Sequence, residues 1–176
     1  MRHVLIAVAL SFALTSPAVA QKQDNPPVVE DQVMGYHDSD ERMNRAIEQA
    51  RALLPLFVEE FRSANTQARG AFTVKAGLTT SDGGREHIWV ADLSLEGDRF
   101  IGNLINEPYD LPGLSLGSRV EVPLDIISDW TIATPDGVYG GFTTRVMIDD
   151  MPPDQAQRYR EGLQMTASPT PPGWIQ

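Results

Sequence analysis

Apolar residues at Met43, Ile47, Ala50, Leu54, Phe57 and Phe61 follow one another at steps of four, three, four, three and four. That spacing lays one apolar face along an amphipathic helix. Arg42, Arg45, Glu48, Arg51, Glu59, Glu60 and Arg62 cover the other side as a solvated mixture of charges. Asp38-Ser39-Asp40-Glu41 predicts the helix start, with Glu41 three residues after Asp38 as in a capping box. Pro55 falls inside the pattern, where it lacks an N–H and crowds the preceding turn, and so predicts a kink or two abutting helices near Leu54.

After Gly70 the period changes to two. Phe72, Val74 and Ala76 alternate with Thr73 and Lys75, and Ser81-Asp82-Gly83-Gly84 supplies a hairpin turn. The run 86–93 returns as a second strand, Glu96-Gly97-Asp98 is the next turn, and 100–105 is the third strand. Two prolines in 106–113 make that stretch a loop. Residues 120–124, 130–133 and 141–148 complete the strand candidates, with Pro135-Asp136-Gly137 turning the last pair. Met151-Pro152-Pro153-Asp154 starts a short helix over 155–163. The predicted fold class is α+β: an N-terminal amphipathic helix packed on a curved antiparallel sheet of about six strands, which could close partly into a barrel, and a short C-terminal helix. No internal repeat recurs at a useful period.

The ends read differently. Arg2 and His3, an apolar run from Val4 to Leu14, and small residues ending in Ala18-Val19-Ala20 have the parts of a secretory signal peptide. The run is too short for a transmembrane helix, which needs roughly 20 apolar residues. The expectation is cleavage after Ala20, a periplasmic or secreted mature chain from Gln21, and no integral membrane span after cleavage. Residues 21–37 then form a disordered, solvated linker, 38–150 the domain, and 151–176 the short helix and a mobile Pro-rich tail, with Trp174 as its one candidate anchor.

Composition narrows the chemistry. The chain has 24 acidic and 14 basic residues, a formal net charge of −10, and its Lys and Arg are scattered singly. That disfavours nucleic acid and anionic membrane surfaces as partners. Cysteine is absent, which excludes disulfides, thiolate metal sites and cysteine nucleophiles. Only His37 and His87 survive cleavage, in no metal-binding spacing, so neither a metal site nor a cofactor is expected.

Two constellations could carry function. In Glu86-His87-Ile88-Trp89-Val90, alternation puts His87 and Trp89 on one side and Ile88 and Val90 on the other. An open sheet makes the first pair a solvent-side imidazole and aromatic platform; a closed or helix-covered sheet makes both residues structural. The second combines Asp129-Trp130 with Thr143-Thr144-Arg145, either as a clamp for a carboxylate or phosphate or as a structural Asp129–Arg145 pair. Asn103 adds a polar group on the third strand, while Gly140-Gly141 reads as a bulge or close backbone approach. No G-x-S-x-G elbow accompanies His87. Glu86, Asp92, Glu107 and Asp129 offer carboxylate pairs that an acidic chain produces by chance.

The ordered segments Glu86-His87-Ile88-Trp89-Val90, Gly102-Asn103-Leu104-Ile105-Asn106-Glu107-Pro108, Leu116-Gly117-Ser118-Arg119-Val120, Ser128-Asp129-Trp130 and Gly140-Gly141-Phe142-Thr143-Thr144-Arg145 resemble the YegJ-like bacterial proteins, a domain of unknown function. The similarity spans about Asp40 to Asp149. It implies a compact α+β module, often exported, and assigns no catalytic residue or ligand.

Export, polar and aromatic residues interleaved on strands, and the lack of a nucleophile motif together favour a non-catalytic binding or interaction module for a protein or small-molecule ligand. Its surface would be drawn from His87, Trp89, Asn103, Asp129 and Arg145. Two alternatives remain: a cofactor-independent cell-envelope hydrolase using His87 with an Asp, and an acidic inhibitor or immunity-type protein steered to a basic partner.

Overall fold

A computed structural model describes residues 40–174. The proposed leader, the linker and Asp38 lie outside the described residues. Helix α1 runs uninterrupted over Glu41–Ser63, Pro55 included, so the two abutting helices are replaced by one. Pro55 is exposed, which lets the Arg51 carbonyl that loses its intrahelical donor meet water. The cap is Asp40, whose carboxylate accepts from the N–H groups of Arg42 at 2.9 Å and Met43 at 3.0 Å. The buried stripe is Ala46, Ala50, Leu54, Phe57, Val58 and Phe61. On the charged side, Arg42 holds Asp150 through two bonds of 2.6 and 2.8 Å, and Arg51 donates to the carbonyls of Ile127 and Asp125.

A single turn, α2 (Thr66–Arg69), leads into β1 (Phe72–Thr79), β2 (Arg85–Glu96), β3 (Arg99–Leu104), β4 (Arg119–Pro123), β5 (Ile127–Thr134) and β6 (Gly137–Gly140). The strands form one antiparallel sheet in the order β4-β3-β2-β1-β5-β6, open at both ends and not closed into a barrel. Three hairpin-linked neighbours follow β1 on one side, and β5 closes on its other side. This is an α+β domain, as the change of hydrophobic period predicts.

The core lies between α1 and one face of the sheet. Val74 stands opposite Val90 on β2 and Trp130 on β5, and Ala76 opposite Ile88. The Phe57 ring meets Phe72, Phe100 and Trp130 at 5.4, 6.0 and 5.3 Å between centroids. Phe61 meets Phe72 and Phe100 at 5.4 and 5.1 Å, edge to face. Trp130 is fully buried and donates its indole N–H to the Ala50 carbonyl at 2.9 Å, which ties β5 to the helix.

The sixth strand departs from expectation. It occupies Gly137–Gly140, and the stretch expected as a strand over 141–148 is instead helix α3, Phe142–Asp149. Gly140 and Gly141 have φ of +79° and +65°, a left-handed pair that ends extended backbone. A side chain at Gly140 would place its Cβ 2.0 Å from the Trp130 carbonyl oxygen. Thr143, Thr144, Val146 and Ile148 favour a strand locally, and tertiary contacts override them.

After α4 (Pro153–Gly162) the chain returns along the outer edge of β6. Val138 donates to Gln164 and accepts from Thr166, and Gly140 donates to Pro169. Trp174 is an anchor, its ring 5.4 Å from that of Trp130. Among the described residues no helix is long and apolar enough to cross a membrane.

Phe57 touches three rings and has no exposed surface, so Phe57→Ala is expected to lose about 3–5 kcal/mol of stability, read from the urea midpoint at unchanged slope.

Candidate functional site

Register decides which side chains share the face turned away from α1. Lys75 on β1 stands opposite Trp89 on β2 and Asp129 on β5, and Gly77 stands opposite His87. Asn103 on β3 stands opposite Ala91, two residues along from Trp89. Since side chains alternate, these residues point one way while Val74, Ile88, Val90 and Trp130 point into the core. His87 is exposed and Trp89 half-buried, which makes them a solvent-side pair on an open sheet.

Asp129 is the most deeply buried charge among the described residues, with no accessible surface. Its carboxylate accepts from the N–H groups of Trp130, Phe142 and Thr143 at 2.8, 3.1 and 2.8 Å, and from the Thr143 hydroxyl at 2.6 Å. The Phe142 and Thr143 amides belong to the first turn of α3, so this carboxylate acts as the cap that Gly141 cannot provide.

The pairing expected between Asp129 and Arg145 does not form. Lys75, only 7% exposed, supplies the opposing charge: its ammonium donates to the Thr143 hydroxyl at 2.9 Å and that hydroxyl donates to Asp129. The same ammonium lies 4.8 Å from the centre of the Trp89 ring. Burial pushes the Asp129 carboxyl above its ordinary range, opposed by Lys75 and the Thr143 and Trp130 hydrogen bonds. Burial pulls Lys75 below 10.5, opposed by Asp129.

Arg145 is a staple. Its guanidinium donates to the carbonyls of Gly140 at 2.9 Å, Thr166 at 2.7 Å and Val138 at 3.3 Å, holding the returning tail to β6. Those bonds occupy the fork that a carboxylate or phosphate clamp would use. Asn103 donates to Asp92 at 3.2 Å, and Asp92 sits at φ +52° where the β2–β3 register shifts.

His87 Nδ1 lies 2.7 Å from the Ser128 hydroxyl, which donates in turn to the Lys75 carbonyl at 3.3 Å. The imidazole is thereby tied to a buried hydroxyl on β5. The ring lies over Gly77, where a Cβ would stand 3.1 Å from Cε1. Glu86 and Glu107 are loop anchors: Glu86 accepts from the amides of Tyr109 and Asp110, both at 2.8 Å, and Glu107 from Leu116 at 3.2 Å.

Sequence reasoning missed Lys75 and Ser128. Lys75 reads as one solvent-side member of an alternating strand, and Ser128 as an ordinary neighbour of Asp129. Nothing local marks either as buried. Two open hollows lie elsewhere, about 360 Å³ beside Pro135, Arg160 and Gln164, and about 290 Å³ beside Leu78, Leu111 and Val120. Among the described residues no three His, Asp or Glu side chains come together as a metal site.

The molecule is thus a single-sheet α+β domain with one helix-covered face and one open face. The profile of a bacterial family described as "Uncharacterized protein conserved in bacteria (DUF2314)" matches residues 40–165, from the Asp40 cap to the Met165 bridge to Val138, and the chain belongs to that family. It is 29% identical over 164 residues to the uncharacterised protein YegJ of Escherichia coli K12, covering 93% of this chain and 99% of that one. It is also 35% identical over 128 residues to a putative ankyrin repeat protein of Neisseria meningitidis serogroup B, covering 69% of this chain and 51% of that one. No solved structure matches.

Asp129→Asn leaves Lys75 without its counter-charge and should cost about 3–5 kcal/mol in chemical denaturation. Because the folded pKa of Lys75 lies below its unfolded value, the unfolded chain binds the extra proton in the window just under 10.5, and this lysine makes stability rise with pH there. Lys75→Met should remove that rise, seen as a gap between the two proteins' melting midpoints that changes as alkaline pH is approached.

Proposed function

We propose that this is an exported, non-catalytic binding module whose contact surface is the open sheet face around Trp89 and His87, with Asn103 at its margin. The observation that carries the reading is the buried polar network on that face: Lys75 donates to Thr143, Thr143 to Asp129, and the same ammonium packs against the Trp89 ring. A surface braced in this way is pre-organised, and little ordering cost attends binding. The two hollows lie away from Trp89 and His87, and an exposed, sheet-borne platform suits a protein surface. Export rests on Arg2, the apolar run from Val4 to Leu14, and Ala18 to Ala20.

The geometry weighs against the hydrolase alternative. Ser128, the hydroxyl that His87 touches, is 1% exposed, so a substrate has no access to it as a nucleophile. Glu86 is occupied as a loop anchor, Asp92 accepts from Asn103, and Asp129 caps α3.

A photo-reactive amino acid placed at Ile105, 46% exposed beside Trp89, should yield cross-linked adducts in the native host that vanish with Trp89→Ala. The same probe at Glu59 on the exposed side of α1 should yield none. Equal adducts from both positions, or from Glu59 alone, would remove this face from consideration. Mass spectrometry of the recovered protein should show a chain beginning at Gln21.

A further inference from the structure

The sheet has two edges, and the chain treats them differently. The outer side of β6 is occupied by the returning tail, through the bonds of Val138 and Gly140 to Gln164, Thr166 and Pro169. At the other end, β4 pairs only with β3 among the described residues. Leu104 donates to the Ser118 carbonyl at 3.0 Å and Leu124 to the Asp98 carbonyl at 3.1 Å, while Gly102 stands opposite Val120 and Phe100 opposite Val122. The even-numbered positions of β4 therefore carry the ladder to β3. The N–H and C=O groups of Arg119 and Glu121 point outward and have no partner among the described residues. Both side chains are exposed, and Pro123, with no N–H, ends the free edge.

We propose that this edge pairs with the β4 edge of a second copy of the chain, antiparallel about a two-fold axis at Val120. Arg119 of each copy then lies opposite Glu121 of the other. The outward amides of both residues in both copies meet carbonyls, and two opposite-charge cross-strand pairs form. Charge selects this register. A shift of two residues one way sets Glu121 against Glu121, and the other way Arg119 against Arg119; a shift of one takes the free amides out of line with the carbonyls. Charges on an edge strand ordinarily repel an incoming strand, whereas here their order is complementary to itself. Glu121 already stands 3.4 Å from Arg99 of its own chain, while Arg119 makes no ion pair among the described residues. Pairing places each Glu121 between two arginines and gives Arg119 its counter-charge. With three residues per copy in the ladder, the dimer is weak and depends on concentration.

The protein purified from cells expressing the full chain is tested by sedimentation velocity across a concentration series. The expected result is a mass rising from one chain toward two, lost in Arg119→Glu and in Glu121→Arg and regained in the double exchange, with melting midpoints unchanged. The chain has no cysteine, so a single introduced one reports the register. Residues facing across a non-hydrogen-bonded pair have Cα atoms about 4.5 Å apart, inside the span of about 4.4–6.8 Å that a disulfide bridges. Val120→Cys should therefore oxidise to a covalent dimer, and Glu121→Cys, off the axis, should not. A single-chain mass at every concentration, association indifferent to both charge reversals, or equal cross-linking from positions 120 and 121 would overturn the proposal. If a charge variant fails to fold, the cysteine pair still decides it.

Discussion

A carboxylate with no accessible surface organises this domain. Removing a charge from water costs several kcal/mol unless it is bonded and paired, and Asp129 meets that requirement only if four donors converge: its neighbour's amide, two amides from the first turn of α3, and the Thr143 hydroxyl. The position of α3, the left-handed Gly140-Gly141 turn that delivers it and the burial of Lys75 all follow from that one demand. On the other side of the same strand, Trp130 enters the core against Phe57 and bonds to the Ala50 carbonyl. Two consecutive residues on β5 thereby lock α1 to one face and α3 to the end of the sheet.

The same economy of partners appears in the loops and the tail. Glu86 holds two amides of the 105–118 loop, and Glu107 and Asp110 bond within or beside it. Arg145 gives its donors to three carbonyls and closes the β6 edge with the chain's own tail. Residues that would suggest acid–base chemistry or anion binding in another setting are consumed here by backbone groups. On the uncovered face the half-buried Trp89 ring and the His87 imidazole stand near the middle of the sheet, and the charged Arg99, Arg119 and Glu121 stand toward the β4 edge.

The bacterial family to which the chain belongs spans the whole sheet, from the cap of α1 to the segment that returns along β6. The match to the Escherichia coli relative runs almost the full length of both chains. The match to the Neisseria protein covers about half of that longer chain, and its ankyrin name says nothing about the sheet described above.

Local periodicity in the sequence was enough to determine the amphipathic helix, the alternating strands, most of the turns and the α+β class, because each is written within a few residues as a face, a period or a Gly/Asp turn. It also placed His87 and Trp89 on one side of β2. It could not determine that 141–148 is helical, because the β-branched residues there point to a strand and the amides of α3 are claimed by a carboxylate on another element. Nor could it pair Asp129 with Lys75 instead of Arg145: the three partners Lys75, Asp129 and Thr143 lie on β1, β5 and α3, and only the closing of β5 against β1 brings them together. The tertiary structure alone decided which charges are buried, since the cost of burial depends on the donors that arrive from distant parts of the chain.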